Sequence, residues 1–220
     1  MRRNRLIATL PFSLLLAVPA LQAQYAQRAP DAKLFQDSWF WGVHAGATTI
    51  GTPARSTGAA PTIGGEWFIT RTSGGLYAAY DQANFTGTSS VPDGGAPNGL
   101  RNVTIHDLRT VSVAALVFPF QARSFRPYAG LGFALSTIGS ASPQSMAPGD
   151  TVSADSRQRA DNGRSRAGIL VMGGLQWQIR RTALFGQVSS SPRNSDFLIN
   201  KPITTITGGV RYNFGSSIER

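Results

Sequence analysis

Two histidines, His44 and His106, and no cysteine among 220 residues restrict the chemistry open to this chain. Without thiols there are no disulfides, no thiolate nucleophile, no cysteine-held metal and no acylated lipoprotein terminus. A multi-histidine metal site is not expected from two imidazoles. Hydrolysis of acyl chains would need Ser, His and an acid converging near one rim. His106 stands near such a rim, with Ser and Asp in the adjoining loops, but no His-x-Ser pair shares a strand face. Neither enzyme activity nor a cofactor is therefore expected. The remaining chemistry is electrostatic. If alternate residues face a common interior, Glu66, Asp81, Arg166, Gln176, Gln187 and Arg211 supply its polar groups, and charges in a low-dielectric interior persist only when paired. Glu66 and Arg211 fall at similar heights on strands flanking the first, so they are expected to form a lumenal ion pair. His44 reads as a lumenal histidine satisfied by its neighbours.

A second set of charges lies outside. Arg157, Arg159, Arg164 and Arg166 cluster between a loop and its strand, with Arg101, Arg109, Arg193 and Lys201 on other outer segments. Guanidinium groups at that level can pair bidentately with lipopolysaccharide phosphates. A solvated loop, its charge partly offset by Asp155 and Asp161, accounts for the cluster equally well. No run of Lys or Arg interleaved with aromatics appears, so nucleic acid is not an expected partner and anionic lipid is.

The elements that must position these groups are strands. In the stretch 38–50, Trp39, Trp41, Val43, Ala45 and Ala47 alternate with Phe40, Gly42, His44, Gly46 and Thr48, the two-residue period of a half-buried strand. The same period recurs at 62–71, 76–85, 104–118, 126–138, 164–179, 182–190 and at the end of the chain. Its clearest apolar rows are Val111, Val113, Ala115 and Val117, and Ala129, Leu131, Phe133 and Leu135. Short turns at 71–75, 119–124 and 180–181 alternate with long polar connections, among them 86–102, 139–163 and 191–202. That rhythm predicts an all-β fold: a transmembrane, eight-stranded, antiparallel up-and-down β-barrel over 38–214, with brief periplasmic turns and extended outer loops. Trp39, Trp41, Trp67, Phe118, Phe120, Phe125, Trp177, Tyr212 and Phe214 all fall beside the short turns or termini, where they would form one girdle. Phe85 and Phe197 are the aromatics near the opposite rim.

The ends support export. Arg2, Arg3 and Arg5 precede an apolar stretch from Leu6 to Val18, and Leu21-Gln22-Ala23 offers small-residue cleavage, so 1–23 reads as a secretory signal of the Sec type. The stretch is too short to span a bilayer, and no other uncharged apolar run reaches the length of a helical span. Removing the signal lowers the formal charge from +10 to +7 (10 − 3). Residues 24–37 read as a periplasmic lead-in and 215–220 as a short tail.

Two motifs carry a resemblance. Thr207, Gly209, Tyr212 and Phe214 follow the polar-x-Gly-x-x-aromatic-x-aromatic ending of Gram-negative outer-membrane barrels, and Pro127-Tyr128-Ala129-Gly130-Leu131-Gly132 resembles a strand common in small barrels of the OmpA transmembrane-domain and OmpX kind. With the signal, rhythm and girdle, the likeness covers 38–214. It implies that Thr207, Gly209, Tyr212 and Phe214 are the signal read by the barrel-assembly machinery. It also implies a monomer in the cell outer membrane, surrounded by lipid and lipopolysaccharide, with a structural, adhesion or surface-binding role carried by extracellular loops. A narrow, porin-like transport pore is the alternative, although eight strands leave a lumen that side chains just fill. A secreted soluble barrel carrying an apolar ligand is the third reading, opposed by the outward apolar rows, which would aggregate in water.

Overall fold

A strand whose side chains alternate between apolar and polar satisfies its backbone only beside neighbours that alternate in phase with it. In the computed structural model the chain forms eight such strands: β1 (Ser38–Thr52), β2 (Arg55–Thr70), β3 (Gly74–Pro92), β4 (Leu100–Val117), β5 (Phe125–Pro143), β6 (Ser165–Ile179), β7 (Thr182–Ser191) and β8 (Ile203–Ser216). The structure describes residues 37–96, 98–119, 125–146, 150–192 and 197–216. The expected signal, nearly all of the lead-in, Phe120, Arg193 and the last four residues lie outside the described residues.

Each strand pairs antiparallel with the next, and β1 closes on β8 through pairs such as Val43 with Val210 and Ala45 with Gly208. This is the expected up-and-down barrel of eight strands. Closure matters energetically because an open edge in lipid would leave amide and carbonyl groups without partners. The outward rows are apolar and exposed, as at Val43 (69 %), Leu131 (63 %) and Phe133 (70 %). A continuous band of such residues around a closed sheet is a surface made for hydrocarbon. Among the described residues no helix is long and apolar enough to cross a membrane, so any crossing is made by strands.

At the end of the belt carrying the short turns, Trp39 meets Trp67 edge-on at 5.5 Å and Phe125 stacks on Trp177 at 6.4 Å. Phe118 does not join this girdle. It continues the inward row of Ser112, Ala114 and Leu116, is buried, and packs its ring against Phe68 inside the barrel at 6.0 Å. Phe197 is likewise buried inside rather than placed at an outer girdle.

The outer half departs from the expected loops. Strands β3 and β4 run well past the belt, so the connection expected over 86–102 shrinks to 93–99. The first outer connection is a tight turn at Pro53-Ala54, and β5 extends to Pro143. Crossing a bilayer takes about 9–11 residues of strand, whereas β3 and β5 each have 19. The excess stands beyond the apolar belt as a paired rim. Within the expected loop 139–163 lies a helix, α1 (Ala154–Asn162), whose N-cap Ser153 accepts a hydrogen bond from the Ser156 amide at 3.1 Å. The helix is polar apart from Ala154 and buried Ala160, which is why the stretch reads as loop.

Two packed layers fill the interior. Near the short turns, Phe40, Phe68, Tyr77, Leu116, Phe118 and Tyr128 form an aromatic layer. At the outer end, Ile50, Val103, Ile105 and Ile138 pack with Ala160 of α1 and with Phe197, Leu198 and Ile199. The Ser89 hydroxyl donates to the Leu198 carbonyl at 2.7 Å and holds that last segment over the mouth.

Candidate functional site

Inward side chains of β2, β5, β6 and β7 converge at the aromatic layer on one guanidinium, that of Arg211 on β8. Gly42 of β1 pairs with Glu66 on one side and Arg211 on the other. A Cβ at Gly42 would lie 2.8 Å from Glu66 Oε1 and 3.0 Å from Arg211 Cγ, so this glycine leaves the space in which the two side chains meet. The structure brings Glu66 and Arg211 together: Nε of Arg211 donates to Oε1 of Glu66 and Nη2 approaches Oε2 at 3.3 Å, both side chains being fully buried. Nη1 donates to Gln176 Oε1 at 2.7 Å, and Nη2 to the Tyr128 hydroxyl at 3.2 Å. Tyr128 in turn donates to Gln187, whose amide donates to Tyr77 at 2.9 Å. The guanidinium carbon lies 3.9 Å from the centre of the Phe185 ring and 4.8 Å from that of Phe68. A planar cation with five donors suits this niche, since ring faces take its plane while oxygens take its edge.

His44 extends the network outward. Its Nε2 lies 2.6 Å from Asp81 Oδ1 and its Nδ1 3.6 Å from Glu66 Oε2, so one imidazole sits between two carboxylates. Above it is a cavity of about 20 Å³ lined by Thr48, Thr62, Thr110, Ser112, Ser136 and Thr205, among others. That is room for a water molecule or so, with hydroxyls enough to hold it. His106 stands apart near the outer rim, its Nδ1 2.9 Å from the Thr86 hydroxyl. Among the described residues no group of three or more His, Cys, Asp or Glu could hold a metal ion.

The outer charges sort differently from their expected common role. Arg101 is no surface group: it is 1 % exposed, donates to Asp93, and grips Asp150 with both terminal nitrogens at 2.7 and 3.0 Å. The Arg101 guanidinium, helped by the Gly95 amide, holds the Asp93 carboxyl down at about 2, and Arg101 with the Met146 amide lowers that of Asp150. This clamp ties the β3–β4 connection to the segment before α1. Arg101 faces inward because Asp107, at φ 54°, shifts the alternation, so that Ile105, Val103 and Arg101 follow Leu108 on the inner face. Of the clustered arginines, Arg159 pairs with Asp155 at 2.8 Å, and Arg164 pairs with Asp161 at 3.4 Å while also donating to the carbonyls of Ile138 and Gly139. Arg157 is exposed on α1, and Arg166 is exposed at the mouth rather than held in the lumen. Arg109 is exposed and outward, one row above Val111, at the upper edge of the apolar belt.

The sequence reading missed Tyr128 as a partner of Arg211 and Tyr77 behind it on Gln187, and it missed the Arg101 clamp. Inward parity at the right height was a usable signal for the tyrosines; the clamp had none, since its acids lie in segments without periodicity.

Known structures share this architecture. Neisserial surface protein A is 14 % identical over 80 % of this chain and 97 % of its own, with a TM-score of 0.52. Ail, the attachment invasion locus protein of Yersinia pestis, in complex with the heparin analogue sucrose octasulfate, is 12 % identical over 82 % and 100 %, with a TM-score of 0.51. The fold is that of the small eight-stranded outer-membrane barrels. It is the architecture that the resemblance to OmpA and OmpX implied. No protein family and no curated protein matches the sequence itself.

Proposed function

We propose that this protein is a monomeric outer-membrane barrel whose work is done at its outer surface, by adhesion or partner binding, while its lumen stays closed to solutes. The observation that carries this reading is the double occlusion of the interior. Arg211 of β8, held by side chains of β2, β5, β6 and β7, caps one aromatic layer, and a second layer that includes α1 fills the outer mouth. Export through the Sec pathway and delivery by the barrel-assembly machinery follow from the resemblance at the two chain ends. The rim formed by the extended strands is an ordered platform, as a binding surface needs to be. The refolded protein in a planar bilayer should show no steady single-channel steps. Reproducible steps would assign it instead to the narrow transport pores.

Lipopolysaccharide is the proposed surrounding ligand. Arg109, at the level where headgroup phosphates begin, and Arg157 on α1 are its best-placed contacts; Arg159 and Arg164 already engage acids, and Arg166 lies nearer the mouth. A basic residue near an anionic surface contributes about 1 kcal/mol, so Arg109→Gln and Arg157→Gln should each weaken binding to lipopolysaccharide vesicles by about fivefold. Unchanged affinity in both variants would remove the role.

A further inference from the structure

Above the apolar belt, one side of the barrel wall changes character. The change of phase at Asp107 turns Leu108, Ile105 and Val103 of β4 inward together with Ile138 and Ala141 of β5, so His106, Thr104, Ser140 and Ser142 face outward. On β3 the buried positions at this height are Ser89 and Val91. The register then sorts the outer face of these strands into rows. Thr86, His106 and Ser140 form the first row, and Thr88, Thr104 and Ser142 form the second. Ser90 and Asn102 begin a third, which Gln144 joins through its amide on the Asn102 carbonyl at 2.8 Å.

Every side chain in these rows is exposed or half-buried, and each ends in a hydroxyl, an amide or an imidazole. Above the pair of Asp81 with Thr110, the charged residues of β3, β4 and β5 are Arg109, Asp107 and the buried Arg101. The rows themselves hold none. His106 Nδ1 lies 2.9 Å from the Thr86 hydroxyl, and the Gln144 side chain donates to the Thr104 hydroxyl. A hydroxyl offers one donor and two acceptor sites, so such contacts steady the groups and leave capacity for a ligand.

Protein interfaces concentrate aromatic residues, Met and Arg and are depleted of Ser. These rows have the opposite composition. Mixed donors and acceptors held on a rigid sheet suit a partner built of hydroxyls, which is a saccharide. Position says which one. Outward Val111 pairs with Tyr80 and Leu135 at the top of the belt, and one row higher Arg109 pairs with Gln82 and Thr137. A lipopolysaccharide molecule whose phosphate meets Arg109 carries its sugars upward from that level, along the wall. The rows face sideways, toward a molecule standing beside the barrel.

We propose that the outer face of β3, β4 and β5 binds the core oligosaccharide of lipopolysaccharide through these neutral rows, above the phosphate contact at Arg109. The assignment rests on lipopolysaccharide being the surrounding ligand, and it adds which part of that ligand is recognised. The barrel then distinguishes lipopolysaccharide from other anionic lipids by sugar as well as by charge.

The absence of native cysteine allows a single label at Ser73→Cys, in a short turn far from the rows. The full mature protein, refolded in detergent, is titrated by thermophoresis with lipopolysaccharide carrying its complete core and, separately, with lipid A. Complete-core lipopolysaccharide should bind about tenfold more tightly, which is what one or two hydrogen bonds contribute net of water. Because the core also carries phosphate, a variant of the neutral rows decides the cause. Thr88→Val, Thr104→Val, Ser142→Ala removes the middle row of hydroxyls while keeping residues that suit a strand. Retained gel mobility without boiling shows that it folds. This variant should bind complete-core lipopolysaccharide no better than lipid A, with its affinity for lipid A unchanged, whereas Arg109→Gln should weaken both ligands alike. Equal binding of the two ligands by the parent would overturn the core assignment and leave the lipopolysaccharide reading standing. An unchanged preference in the triple variant, or an equal fall for both ligands, would do the same. Absence of binding to either ligand would overturn both.

Discussion

Arg211→Met should lower the unfolding free energy of the barrel by about 3–5 kcal/mol, the cost of removing one partner from a buried ion pair. The loss comes chiefly from what is left behind. Glu66 is fully buried and would lose its guanidinium partner, with the His44 Nδ1 3.6 Å from its other oxygen. Gln176 would lose the donor to its Oε1, and the Tyr128 hydroxyl would lose one of its partners. Methionine fills much of the space between Phe185 and Phe68, so a cavity is not the main term. The double variant Glu66→Leu, Arg211→Met separates the two causes. With no orphaned charge it should recover most of the stability, because a hydrophobic replacement of both members of a buried pair is often neutral. The checks are the temperature at which gel mobility changes and tryptophan fluorescence in urea. An Arg211→Met barrel with unchanged midpoints would show that the pair carries no stability.

The strand faces were legible because sheet geometry maps sequence parity directly onto inside and outside. From Trp39 to Ala47, and from Ala129 to Leu135, every residue expected outward is outward. The meeting of Glu66 and Arg211 was legible for the same reason, since both pair with Gly42 across one strand. Legibility stops where parity stops. The register shift between Ala83 and Thr86 and the left-handed Asp107 reset the alternation on β3 and β4, so Arg101 could not be placed from below. Above the belt, composition also misleads. Strand residues there face water on one side and a small plug on the other, so Ser, Thr and Gly serve as strand formers and read as loop. Phe118 shows the converse error: proximity to a short turn suggested the girdle, while its even position on an inward row of even residues pointed inside.

The seam between β1 and β8 gives the second large effect, and it separates two roles that one motif combines. A Cβ at Gly209 would lie 2.2 Å from the Val43 carbonyl oxygen and 2.9 Å from the His44 Cα, and one at Gly46 would lie 1.9 Å from the Ile206 carbonyl oxygen. These are backbone atoms of the facing strand, so neither contact is relieved by rotating a side chain. Gly209→Ala should therefore cost about 1–3 kcal/mol as overpacking at the point of closure. That loss should appear in detergent refolding, where no cellular machinery takes part. Phe214 lies in the same motif but points outward, 65 % exposed, its ring edge-on to Tyr212 at 5.1 Å. Phe214→Ala should refold in detergent with a midpoint close to that of the parent, yet reach the assembled, heat-modifiable form in cells at a much lower level. Comparing the two variants in both settings decides whether Gly209 acts through the folded seam and Phe214 through recognition of the unfolded chain. If Phe214→Ala assembles in cells as well as the parent, the ending is not an assembly signal, and its aromatic residues serve the girdle alone.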